Sequence, residues 1–369
     1  MLNKLSKIGH RPDYFLMALI FILTIFGLAM LASASSEMGK MKFNDSYYYL
    51  KHQIYYGLSL GIVGFILGYI IYYQRFRKLA LLLLMLSLVA LFLVFTRFGV
   101  EVRNANRWVQ LGPITFQPAE ILKLTFVLYL AAWLSNPKTR RGSDLVSGLI
   151  PFLLISAFIA ILLFRQPATS TVVILLSAGL VVYFLSGAKK RYIFLVSLLV
   201  LVGLAVIIYA TPYRWQRILS YINPQHDVEG QNYHINQALI AIGSGGVRGA
   251  GYGQSAAKIK NLPAPIDDSI FAVVAEELGF VGAGALVVLF GILTFRLFWL
   301  AKNIRNSFGR LILIGFGTII AFQSLVNMSA ISGIIPLTGV PLPFISYGGT
   351  ALAVFLTMAG IATNISKYT

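Results

Sequence analysis

Leu262-Pro-Ala-Pro-Ile-Asp-Asp-Ser-Ile-Phe-Ala-Val-Val-Ala-Glu-Glu-Leu-Gly279 joins a long polar stretch to an apolar run that reaches Leu300. Asp267 and Asp268 stand at the lip of that run, and Glu276 and Glu277 follow about two turns further in. A charge within a membrane helix costs about 2.5–3.5 kcal/mol on insertion scales, so such carboxylates mark a site or a buried partner. The rest of the chain reads as a scaffold that lines this mouth.

The 369 residues are 58% hydrophobic and 11% charged, with a mean hydropathy of +0.79. Repeated apolar runs of membrane-spanning length make this an all-α, polytopic integral membrane protein of about ten helices, forming one domain over residues 1–369. The net charge of +18 does not indicate nucleic-acid binding, because the basic residues sit in short clusters between apolar runs rather than in one patch. Cysteine is absent, which excludes disulfides and thiolate chemistry. His10, His52, His226 and His234 show no metal-ligand spacing, so no metal ligands are assigned. The basic N-terminus precedes an apolar run too long for a signal-peptide core, and it reads as a retained first span.

The expected spans are 14–34, 54–73, 79–96, 118–134, 146–164, 171–187, 192–210, 270–300, 311–333 and 349–366. Of these, 118–134 opens with charges and 171–187 is short. One set of connections carries Lys4, Lys7 and Arg11, then Arg75, Arg77 and Lys78, then Lys138, Arg140 and Arg141. It continues with Lys189, Lys190 and Arg191, and with Lys302, Arg305 and Arg310; its only acids are Asp13 and Asp144. That side, with both termini, is expected to be cytoplasmic. The opposite side holds loops 35–53, 97–117, 211–269 and 334–348. Loop 211–269 is too long for a mere connector and should be partly helical, with an interfacial helix at 213–221 and a short helix at 233–242. The glycines from Gly243 to Gly253 lack the preceding strand of a nucleotide fingerprint; they indicate a backbone that turns sharply or approaches a ligand.

Arg103, Asn104, Asn106, Arg107 and Trp108 crowd the loop before the fourth span. Glu120 and Lys123 share one helical face, either as a structural ion pair or as a cavity pair whose lysine meets an anionic substrate. Arg107 beside the same mouth suits phosphate oxygens. Glu276 and Glu277 are about 100° apart on a helix, so at most one should point fully into the bundle. Gln323 and Asn327, one turn apart, should hydrogen-bond across helices. Arg165 should snorkel to the interface. Asp268 can cap the helix that follows, act as a general base, or do both. Asp267, Glu276, Glu277, Gln323 and Asn327 are the further candidate cavity residues.

The 262–279 block resembles the outer-loop motif of the SEDS (shape, elongation, division, sporulation) family. So do Asn106-Arg-Trp108, Phe116-Gln-Pro-Ala-Glu-x-x-Lys123, Ala241-Ile-Gly-Ser-Gly-Gly246 and Gly339-Val-Pro-Leu-Pro-Phe-Ile-Ser-Tyr-Gly-Gly349. The blocks run in order over nearly the whole chain and lean toward the FtsW branch rather than the RodA branch. The resemblance implies a peptidoglycan glycosyltransferase that polymerises lipid II on the outer face of the bacterial cytoplasmic membrane, with a class B penicillin-binding protein as transpeptidase partner. The family's essential loop aspartate falls on Asp268. Ser269 stands where phenylalanine is common, and Ala168 where the family usually has aspartate. In that reading Asp268 is the catalytic base, while Arg107 and Lys123, oriented by Glu120, receive the diphosphate. A divalent cation (Mg or Mn) bridging the diphosphate is compatible chemistry, though no ligand cluster compels it. A lipid II flippase would use the same cavity without a base. A non-catalytic scaffold for the transpeptidase is the reading that Ala168 encourages.

Overall fold

The computed structural model describes residues 10–102, 105–112, 114–136, 141–222, 231–260 and 262–369. Lys4, Lys7, Arg103, Asn104, Lys138, Arg140 and His226 from the reading above lie outside the described residues. Every expected span is a helix: α1 Tyr14–Phe43, α2 Tyr48–Ile70, α3 Gln74–Leu93, α4 Pro118–Leu134, α5 Leu145–Arg165, α6 Thr169–Leu185 and α7 Lys190–Ala210. After the long connection come α11 Ile270–Asn303, α12 Ser307–Ile331 and α13 Gly349–Ser366. Eight of these helices are long and apolar enough to cross a membrane; α4 and α6 are shorter, at 17 residues each. The chain is a multi-pass membrane protein.

Among the described residues, the connection between α7 and α11 contains three helices: α8 Pro212–Ile222, α9 Gln231–Ser244 and the single turn α10 Ala257–Lys260. Both helices expected in this loop are present. The other loops depart from expectation. Loop 35–53 shrinks to four residues, because Glu37, Lys40 and Lys42 continue α1 as readily as apolar residues would. Asn44 then ends the helix in the left-handed conformation (φ 53°), and its amide bonds the carbonyls of Gly39 and Lys40. Loop 97–117 folds into an antiparallel sheet of β1 Gly99–Val102, β2 Ala105–Leu111 and β3 Ile114–Phe116, in that order.

The bundle is centred on α4 and α12, which pack against each other and against α6. α13 covers α2 and touches α4, while α11 lies between α12 and α1. Leu122, Phe126, Leu130, Ile312 and Phe316 fill the centre. By contrast, α7 packs mainly on α6 and α8 and leaves Phe194, Leu198, Leu201 and Val206 exposed, a surface that hydrocarbon must cover. At one end Arg296 pairs with Asp13, and Asp13 caps α1. Nearby, Asn364 receives the Tyr73 amide and donates to the Tyr69 carbonyl, tying α13 to the turn between α2 and α3. The loops from 211 onward gather with the 334–348 connection at the other end.

Candidate functional site

Gly333, Pro336, Gly339, Pro341 and Pro343 keep the connection between α12 and α13 out of any helix or strand. Its carbonyls need donors from elsewhere. Five receive them from side chains of other elements. Tyr221 donates to Ile334 at 2.6 Å, Arg217 to Leu337 at 3.1 Å and Ser170 to Thr338 at 2.8 Å. Asn327 donates to Val340 at 2.7 Å and Gln323 to Pro341 at 2.9 Å. Gly27 of α1 admits the loop's far limb, since a Cβ there would stand 2.3 Å from the Phe344 carbonyl oxygen. Gln323 bonds across helices to Lys123 as expected and adds this loop, whereas Asn327 bonds to this loop and to the Asp268 carbonyl rather than to another helix.

Asp268 sits where that loop meets the Pro263–Ser269 turn. Ala264, flanked by prolines, adopts φ 48°, and the amides of Asp267 and Ser269 both return to its carbonyl. Asn327 donates its second hydrogen bond to the Asp268 carbonyl at 2.8 Å, and the Tyr347 amide donates to Ile266 at 2.8 Å. The Asp268 carboxylate faces Gly339, where an added Cβ would lie 3.8 Å from Oδ2. Asp267 and Asp268 are both half-buried. The cap position of α11 belongs to Ser269, one residue after Asp268, and the Ser269 side chain makes no cap bond. Burial, together with the charges of Tyr49 and Asp267, holds the Tyr347 hydroxyl above the ordinary tyrosine range, so it stays protonated against His52.

Asn327→Leu would strip donors from the Asp268 and Val340 carbonyls at once. At about 1–3 kcal/mol per buried group left unpaired, the variant should melt clearly below wild type. A melting curve that overlays wild type would show that neither bond matters.

The ion pair of Glu120 and Lys123 is present, with Nζ 2.7 Å from Oε1, but the lysine is only 1% exposed. Its ammonium also donates to Gln323 Oε1 at 2.7 Å and lies over the Phe355 ring. Of the two readings of Glu120 and Lys123, this burial favours the structural ion pair. Helical spacing places both on one face, and α12 and α13 cover that face. The pair supports Gln323, and through it the Pro341 carbonyl. Arg107 on β2 is half-buried and donates through Nε to Gln166 (3.0 Å) and through Nη2 to Pro167. It clasps the α5–α6 turn beside Ala168, which starts α6 at 5% exposure and offers no side-chain cap. Arg165 in that turn is exposed, as snorkelling requires.

Glu276 and Glu277 are both buried, at 4% and 0% exposure. The 100° between them aims them at different partners. Glu276 accepts from Ser255 and from the amides of Ala256 and Ala257, the start of α10. Glu277 accepts from Ser33 of α1 at 2.6 Å and pairs with Lys258 at 2.9 Å. The glycine run packs on the same backbone: a Cβ on Gly249 (φ +83°) would lie 2.2 Å from the Glu277 carbonyl oxygen. Close approach to helix explains Gly245 and Gly249, while Gly246, Gly251 and Gly253 turn the chain at positive φ (52°, 105° and 81°). Ser33 and Lys258 went unpredicted, because nothing local to either announces a partner so distant in sequence. Among the described residues, no three His, Asp or Glu gather as ligands for one ion. A magnesium or manganese ion has no ready-made cage among them.

A family model described as "Cell cycle protein" (FtsW/RodA/SpoVE) matches residues 14–369. Stage V sporulation protein E of Bacillus subtilis is 34% identical, covering 97% of both chains. The probable peptidoglycan glycosyltransferase FtsW of Geobacter sulfurreducens is 34% identical over 97% of this chain and 95% of that protein. A chain from a peptidoglycan synthase complex, solved to show how polymerization and crosslinking are coordinated, superposes with a TM-score of 0.78 at 29% identity, covering 96% of this chain and 97% of that one. The rod shape determining protein RodA of Thermus thermophilus gives a TM-score of 0.68 at 29% identity, covering 97% of this chain and 96% of that one.

Proposed function

The chain belongs to the FtsW/RodA/SpoVE family, and from that premise we propose that it is a peptidoglycan glycosyltransferase polymerising lipid II, with Asp268 as general base. The basic clusters, including Arg75, Arg77 and Lys78, face the cytoplasm with both termini, which sets Asp268 at the outer face. The reading rests most heavily on one observation. At the loop-rich end, a half-buried carboxylate stands over a glycine, its backbone fixed by Asn327.

In the reaction, a sugar hydroxyl of one lipid-linked glycan attacks the anomeric carbon of another. The new glycosidic C–O bond forms, the anomeric C–O bond to phosphate breaks, and the lipid diphosphate departs. Asp268 takes the hydroxyl proton as attack proceeds. Negative charge grows on the diphosphate, and Arg107 is the cation assigned to it. Lys123 acts at one remove, through Gln323 and the loop. Polyprenyl chains lie in apolar grooves, with α7 as the most exposed helical surface available to them. A class B penicillin-binding protein crosslinks the product, a pairing supported by the likeness to a chain of a peptidoglycan synthase complex. The role lies in division or shape maintenance.

Purified protein, mixed with labelled lipid II with and without its transpeptidase, should give a ladder of glycan chains on a gel. Lipid II that crosses vesicle membranes but never lengthens would identify a flippase. No polymer alone, with polymer restored by Ala168→Asp, would identify a scaffold whose chemistry has decayed.

A further inference from the structure

Ser269 occupies the cap position of the first segment of α11, which runs from Ile270 to the non-helical Gly279 (φ 69°), a place where serine ordinarily bonds a free helix amide. Here its hydroxyl makes no such bond. It is fully buried, lying 2.9 Å from the Pro263 carbonyl oxygen and 2.6 Å from Nε2 of His234 on α9. A carbonyl can only accept, so the single hydroxyl proton points to Pro263 and the imidazole must donate through Nε2–H. The chain thus gives up a helix cap to close the Pro263–Ser269 turn on itself and pin it to α9. The turn needs such a closure, because Ala264 is held in a left-handed conformation that a residue with a Cβ rarely adopts. Asp268 is the residue next to the pinned hydroxyl.

We propose that His234 is a positioning residue for Asp268, acting through Ser269 to hold the turn that aims the carboxylate. The bond runs from the only histidine of α9 to the one buried hydroxyl on that turn, and the mechanism above does not use either group. The kinetic consequence rests on Asp268 being the base; the latch itself does not.

The test uses the full chain with its transpeptidase partner and labelled lipid II. His234→Ala should lower kcat roughly five- to tenfold, the scale of one lost hydrogen bond, with KM for lipid II unchanged. His234→Gln, which keeps an N–H donor at similar reach, should recover most of the rate. Ser269→Ala should reproduce the loss, and the double variant should be no worse than the weaker single. Equal losses in the Ala and Gln variants, losses that multiply, or a change confined to KM would overturn the proposal. Should the wild-type protein make no polymer, the function assigned above fails, yet the latch remains testable by hydrogen exchange. Amides of 262–268 should exchange faster in His234→Ala than in wild type and recover in His234→Gln. Unchanged exchange would remove the latch.

Discussion

Asp268→Asn is expected to cut glycan polymerisation by about 10²–10⁴-fold, the range a positioned general base contributes, while the protein still folds. The substitution keeps size and shape, so Gly339 remains uncrowded. The Asn327 bond goes to the Asp268 backbone and survives any change of side chain. The cap position of α11 lies at Ser269, so no helix end is lost with the charge. What disappears is the ability to take a proton. The experiment compares initial rates of chain growth at matched protein concentration, alongside a melting curve. An Asn variant polymerising at close to the wild-type rate would remove Asp268 from the chemistry. Loss of polymer with retained movement of lipid II across vesicle membranes would separate sugar transfer from transport.

Lys258→Met should cause the largest loss of stability. The lysine and Glu277 are paired at 2.9 Å with side chains 2% and 0% exposed, and Ser33 closes the triangle. Removing one member of a buried pair leaves the other charge uncompensated, at a cost of about 3–5 kcal/mol. Replacing both with neutral groups avoids most of that, so Lys258→Met with Glu277→Gln should melt well above the single variant. These three residues join α1, the glycine-rich segment and α11, so the damage should spread to the turn carrying Asp268. A single variant that melts with wild type would show that the pair is not coupled to the fold. A double variant no better than the single would assign the loss to packing of the lysine stem instead.

The helices were legible because a bilayer sets both their length and their composition, and every apolar run of suitable length became one. The two weakest runs, 118–134 and 171–187, are the two 17-residue helices. The sheet at 99–116 was hidden because its strands are three to seven residues long and interrupted by arginine and asparagine. Asp268 stood out because a polar loop entering an apolar run is visible locally. The burial of Lys123 was not legible for a related reason. Periodicity tells which residues share a face but not which helix covers it, and α12 and α13 lie some 200 residues downstream. The same limit hid His234, whose partner Ser269 is 35 positions away.

α4 and α6 both begin beside the 334–348 connection: the Gln117 amide reaches Thr350, and Ser170 reaches Thr338. At 1.5 Å per residue, 17 residues span roughly 25 Å, against about 30 Å of hydrocarbon. Both helices are packed inside the bundle, so lipid does not set their length, and their ends stop about 5 Å short of a full span within the ring of longer helices. That shortfall lets water and phosphate groups sink below the rim of the surrounding helices. A carrier-bound sugar then has less distance to climb before it reacts.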